Sequence, residues 1–163
     1  MRQQIPVSAA RLRVQHASNF MKISVTLALL FLICGCTSVK VQRVEASKYP
    51  IKLVYIKQNP KTEAVVEDFV RVIEVAFQRH GIETKVITGE PPSDAEYVLT
   101  YATQCSWDFT PYLKHADLYL KHGTKLVGDA SYHHRGGFGL NKWASTETKM
   151  TPVVDELLAG FKN

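Results

Sequence analysis

Lys114-His115-Ala116-Asp117-Leu118-Tyr119-Leu120-Lys121-His122-Gly123-Thr124-Lys125-Leu126-Val127-Gly128-Asp129-Ala130-Ser131-Tyr132-His133 is the stretch on which the reading of the fold turns. Ala116, Leu118 and Leu120 alternate with Asp117, Tyr119 and Lys121, the period of a strand buried on one face and wet on the other. A second run, residues 124–133, places Leu126, Gly128, Ala130 and Tyr132 on one face, with small residues that admit close packing by a helix. His122 and Gly123 stand between the runs, so an antiparallel hairpin is expected.

Upstream, residues 51–57 are dense in β-branched and aromatic side chains and read as a strand, broken by Asn59-Pro60. A helix is expected over residues 62–80. Val66, Phe69, Val70, Ile73, Ala76 and Phe77 recur at three- and four-residue steps there, while Glu63, Glu67, Asp68 and Arg71 take the polar side, with Glu67 and Arg71 in i,i+4 register. Gly81 supplies a left-handed stop. Two more strands are expected at 82–88 and 97–104, and a last helix over 145–161 with Met150, Val154, Leu157, Leu158 and Phe161 on one face. Pro152 either kinks that helix or opens its first turn. The order implies an α+β, βαβββα single-domain sandwich over residues 50–163: one mixed or antiparallel sheet of about five strands, with two helices on one face.

The amino-terminal third reads differently. Four of the 20 basic residues (Arg2, Arg11, Arg13, Lys22) lie before position 36 with no acidic residue, which leaves 16 basic against 15 acidic side chains in the remainder. The formal charge of +5 therefore lends no support to a nucleic-acid surface. From Met21, Lys22 supplies a positive flank and residues 23–34 run apolar, short of the ~20 residues that a spanning helix needs. The run ends in Ile33-Cys34-Gly35-Cys36, which resembles the bacterial lipobox, with Cys34 where a smaller residue is more usual. The resemblance implies cleavage between Gly35 and Cys36 and covalent lipid on Cys36, several acyl chains giving a firm membrane anchor. By the same resemblance, Thr37 rather than Asp after the cysteine favours the outer over the inner membrane, and so the outer membrane's periplasmic face. Residues 1–20 are read as a misassigned start or dispensable extension, 21–35 as signal peptide and 36–49 as a lipidated tether; the alternative is an uncleaved signal anchor.

Ala116-Asp117-Leu118-Tyr119-Leu120, the glycine-containing hairpin and the tail GGFGLNKWASTETKMTPVVDELL (residues 136–158) also resemble the Sbal-type family of small uncharacterised proteobacterial lipoproteins. The resemblance implies a small α+β lipoprotein domain and carries no catalytic residue or ligand.

With Cys34 in the leader and Cys36 lipidated, Cys105 stands alone, so no internal disulfide is available and a buried structural thiol is the simple reading, a reactive or intermolecular cysteine the other. His133 and His134 are the metal candidates. As neighbours on a strand they would face opposite ways, and no H-x-x-x-H, C-x-x-C or H-E-x-x-H spacing occurs, so no metal site is assigned. Gly136-Gly137-Phe138-Gly139 lacks a phosphate-loop pattern, and Ser106, Ser131 and Ser145 lack a nucleophile elbow. Trp107, Phe109 and Tyr112, in an expected loop over 105–112, with Trp143 beside it, are the candidate interaction residues, either capping the core or exposed for recognition.

The function expected is a non-enzymatic, outer-membrane-anchored periplasmic lipoprotein. It would be an accessory or adaptor of an envelope protein assembly, meeting a protein partner through the Trp107 loop or a sheet edge, with no cofactor beyond the lipid and no nucleic-acid partner. The alternatives are a periplasmic small-ligand or metal binder using the histidine-bearing hairpin and, behind it, a hydrolase.

Overall fold

The expected hairpin is the centre of the structure, a computed structural model that describes residues 37–58, 68–135 and 140–161. Among these residues six strands form one sheet: β1 (Thr37–Gln42), β2 (Leu53–Lys57), β3 (Glu83–Ile87), β4 (Tyr97–Asp108), β5 (Thr110–His122) and β6 (Lys125–His134). Helix α1 (Phe69–Arg79) separates β2 from β3, and a 3-10 turn (Leu140–Trp143) leads into α2 (Thr146–Leu157). The strand order is β1-β6-β5-β4-β2-β3. β1, β6, β5 and β4 pair antiparallel, whereas β2 runs parallel to both β4 and β3. The fold is thus α+β with a mixed sheet, one strand larger than the sequence suggests.

Alternation decides which face is covered. Ile56, Leu99, Leu120 and Gly128 lie in register across the sheet, as do Tyr101, Leu118 and Ala130. All of these leucines, with Ile56 and Ala130, are buried. Both helices pack on this face: Phe69 of α1 meets Tyr101 at 5.2 Å between ring centroids, and a Cβ at Gly128 would stand 3.0 Å from Leu157 of α2. At Gly128, α2 and the segment around Val44 thus approach the sheet backbone too closely for a side chain to fit unshifted. Full burial of each such leucine contributes about 1.5–3 kcal/mol relative to exposure. The helices also meet each other, Arg79 and His80 of the α1 terminus both bonding Asp155 of α2. Burial pushes the Asp155 carboxyl up, but Arg79 and His80 outweigh it and hold it below its ordinary range.

Several expectations change. Residues 37–42, assigned to a tether, form β1 along β6, and Val44 follows into the core. As an edge strand β1 buries only part of its side chains, which blurs the period that would have announced it. Residues 105–112 are not a loop. β4 and β5 continue as a paired ribbon to Asp108 and Thr110, past an irregularity between Gln104 and Cys105. The hairpin between β5 and β6 turns on Gly123 and Thr124, with Gly123 at φ 58°. A bulge beside Leu120/Lys121 turns Leu126 outward and buries Val127 in its place. Within α1 the buried face is Phe69, Val72, Ile73, Ala76 and Phe77, and Arg71 pairs with Asp68. The expected turn at 62–67, with Glu67, lies outside the described residues. Gly81 ends α1 at φ 71°, as expected. In α2, Ser145 is the N-cap, its hydroxyl accepting from the Thr148 amide at 3.1 Å; Pro152 sits inside the helix rather than opening it.

Candidate functional site: the aromatic hairpin tip

The register fixes what lies at each end of the sheet. Thr37 pairs with His134, His133 with His115, and His115 with Gln104. Among the described strands, β4 and β5 continue beyond that level as a ribbon, for five residues from Gln104 to Phe109, or about 15 Å at strand rise. Thr37, which follows Cys36 in sequence, and the ribbon tip therefore share one end of the molecule. Gly35 and Cys36 lie outside the described residues, as does the loop over 136–139.

The tip is built from residues that folding does not bury. Trp107 is 73% exposed, Phe109 88% and Trp143 44%. Phe109 turns the chain at φ 58°, the one non-glycine residue with positive φ among the described residues. A bulky side chain in that region costs about 1–2 kcal/mol, which neither burial nor a hydrogen bond of its side chain offsets here. The 3-10 turn braces the ribbon. The Trp143 indole Nε1 donates to the Asp108 carbonyl at 3.1 Å, and the Lys142 ammonium pairs with the Asp108 carboxylate. Lys142 lies 4.9 Å from the Tyr112 ring centroid and 5.4 Å from that of Trp143. Its bond to Asp108 raises the Lys142 pKa above its ordinary value. Of the candidate residues, Trp107, Phe109 and Trp143 converge in the open, while Tyr112 is half-buried against His134 at 5.9 Å.

Beneath the tip lies an unusual interior. His134 is 1% exposed and neither ring nitrogen has a hydrogen-bond partner among the described residues. Burial first, then the Lys149 and Lys142 cations, push its pKa down. Lys149 is 7% exposed; its ammonium donates to the Lys142 carbonyl at 2.7 Å and the Leu113 carbonyl at 3.3 Å. Burial lowers its pKa as well. Cys105 is partly buried against the core, and burial raises its thiol pKa against the pull of Lys149.

His133 and His134 do face opposite sides. On the uncovered side His133 stands 5.2 Å from His115, centroid to centroid, and His115 Nε2 meets Asp117 Oδ2 at 2.8 Å. No group of three or more His, Cys, Asp or Glu placed for a metal occurs among the described residues. Sequence reasoning passed over Lys142 and Lys149. Lys149 carried a signal, a lysine beside Met150 on the stripe that continues to Val153, Val154 and Leu157.

No protein-family profile and no curated protein matches this chain. Among solved structures it is similar to a PelC variant dodecamer from Paraburkholderia phytofirmans, with a TM-score of 0.52 and 15% identity over 76% of this chain and 99% of that one. A second PelC dodecamer from the same organism gives a TM-score of 0.49 at 13% identity over 77% and 99%. What the chain shares with PelC at this distance is its fold.

Proposed function

We propose that the protein is a lipoprotein of the outer membrane's periplasmic face, held by lipid on Cys36, with its aromatic tip against the bilayer. In this reading it serves as a non-enzymatic accessory or adaptor in an envelope assembly, of the same kind as the Sbal-type lipoproteins that it resembles. The observation that carries the reading is the shared end of the sheet. An anchor one residue before Thr37 would hold the end bearing Trp107, Phe109 and Trp143 at the membrane. Tryptophan suits that boundary, where its apolar body enters the acyl region and its polar edge stays with headgroups, and phenylalanine adds a wholly apolar ring. The ribbon reaches beyond Thr37 by more than a headgroup layer, whose thickness is about 5–8 Å. Exposed Arg135, which follows His134 at this end of the sheet, would meet lipid phosphates. With the tip engaged by lipid, the uncovered sheet face around His115, Asp117 and Tyr119 is left for a protein partner.

The test is the intact mass of the protein extracted in detergent from its native envelope. A mass equal to residues 36–163 plus acyl chains is expected. A mass that retains residues 21–35 or 1–35 contradicts the anchor, and with it the orientation of the tip.

A further inference from the structure

A groove of about 490 Å³ runs between edge strand β1 and α2, lined by Val39, Tyr132, Lys149, Pro152, Val153 and Glu156, among others. Tyr132, Lys149 and Val153 form its buried floor, and Val39 and Pro152 stand at its rim. The volume lies in the range of small-molecule sites, which are mostly apolar with a few placed polar groups. From Thr148 to Glu156 the groove follows α2 for nine residues, a rise of about 12 Å.

Its charge is lopsided. Lys149 is the buried cation of the site, and its ammonium has two backbone carbonyls but no carboxylate in salt-bridge range among the described residues. Lys142, the neighbouring cation, already holds Asp108, and neither ring nitrogen of buried His134 has a hydrogen-bond partner among the described residues. At the other end Glu156 is neutralised by Arg43. A buried ammonium without a counter-anion is costly, and an anion brought to it removes that cost.

We infer that the groove binds an amphiphile with an anionic head, its chain lying along α2 between Val39 and Pro152 and its head beside Lys149. An amide-linked acyl chain on Cys36 would offer no free anion, so it does not fit the charge of the site. The inference also stands whether or not Cys36 carries lipid.

The full chain, extracted from envelopes in neutral detergent near neutral pH, is exposed to three photoreactive probes with one common diazirine tail: a fatty acid, its methyl ester and a phosphatidylglycerol. Adducts are then mapped by peptide mass spectrometry. An anionic probe should label the peptides of Val39 and Pro152 at least about tenfold more than the ester. Excess labelling by the acid identifies a free carboxylate amphiphile, and excess by the phospholipid identifies a headgroup phosphate. Lys149→Met should bring both anionic probes down to the level of the ester. Thr148→Trp, a change at an exposed rim position that leaves the core intact, should lower labelling by all probes about tenfold or more. Equal labelling by acid, phospholipid and ester, or labelling unchanged in Thr148→Trp, overturns the inference.

Discussion

Leu99, Leu118 and Leu120 on the covered face of the sheet are fully buried, whereas Trp107 and Phe109, on or between the same two strands a few residues further out, stand in solvent. The buried set is what the alternation of the sequence demands, because a strand with one apolar face must be covered to fold. The tip has no such cover, and its turn places Phe109 in a backbone region that favours glycine. Strain and exposure together at one point are poorly explained by folding and well explained by a second surface. The molecule thus separates an apolar set that makes the fold from an apolar set that the fold holds out.

The largest test of that separation lies on the covered side. Leu118→Ala should destabilise the protein by about 2–5 kcal/mol, read as a lower urea midpoint at unchanged slope, since a buried leucine leaves a cavity. A loss as small as that of an exposed residue would break the comparison.

How far this division was legible depends on how strongly each segment alternates. β5 announced itself through Ala116, Leu118 and Leu120, and α1 through the spacing of Phe69, Ile73, Ala76 and Phe77. β1 did not, because an edge strand with one covered face and few neighbours needs only Val41 and the following Val44 to be held. The ribbon beyond Gln104 was hidden by Asp108, Thr110 and Pro111, residues that read as a break but sit at the end of a paired ribbon where proline is tolerated. The tip residues were visible as an aromatic cluster, while their exposure and their nearness to Thr37 are tertiary facts. Val127 took the place expected for Leu126 through a bulge, a one-residue slip that alternation alone does not reveal.

Gly128→Ala probes a close approach of sheet and helix. The added Cβ would meet Val44 Cγ2 at 2.6 Å, Leu157 Cδ1 at 3.0 Å and the Gln42 carbonyl at 3.2 Å. A loss of about 1–3 kcal/mol in denaturant unfolding is expected, with the far-UV spectrum preserved.

His134 is the polar exception on the covered face, and it sharpens the comparison through pH. Its folded pKa is depressed by burial and by Lys149 and Lys142, so the folded state keeps the ring neutral while the unfolded chain takes up a proton. The stability that this contributes is present above the unfolded value of about 6.5 and is lost as pH falls from there toward the folded value. Asp155, lowered from 3.8, is fully ionised in that window and loses its contribution only in stronger acid. Stability should therefore fall as the pH drops below about 6.5, with a slope no steeper than about 1.4 kcal/mol per pH unit for one proton. His134→Phe should flatten that decline; an unchanged pH profile would show that His134 is not its source.

The smallest effect on stability is expected at the tip. Trp107→Ala should shift unfolding by no more than about 0.5 kcal/mol, and Phe109→Gly should leave stability unchanged or raise it by up to about 1 kcal/mol as the left-handed turn relaxes. Both should weaken association with vesicles of outer-membrane lipid in co-sedimentation, an effect absent for Tyr119→Ala on the uncovered face.

Trp107 and Trp143 are the two tryptophans of the chain, and both stand at the tip. Their fluorescence therefore tests, without any label, whether the tip lies against a membrane. The lipidated protein reconstituted into vesicles should show blue-shifted emission, quenched by lipids brominated high on their acyl chains and protected from aqueous iodide. Emission that stays at its aqueous wavelength, open to iodide and insensitive to the brominated lipid, would contradict an aromatic tip held at the bilayer.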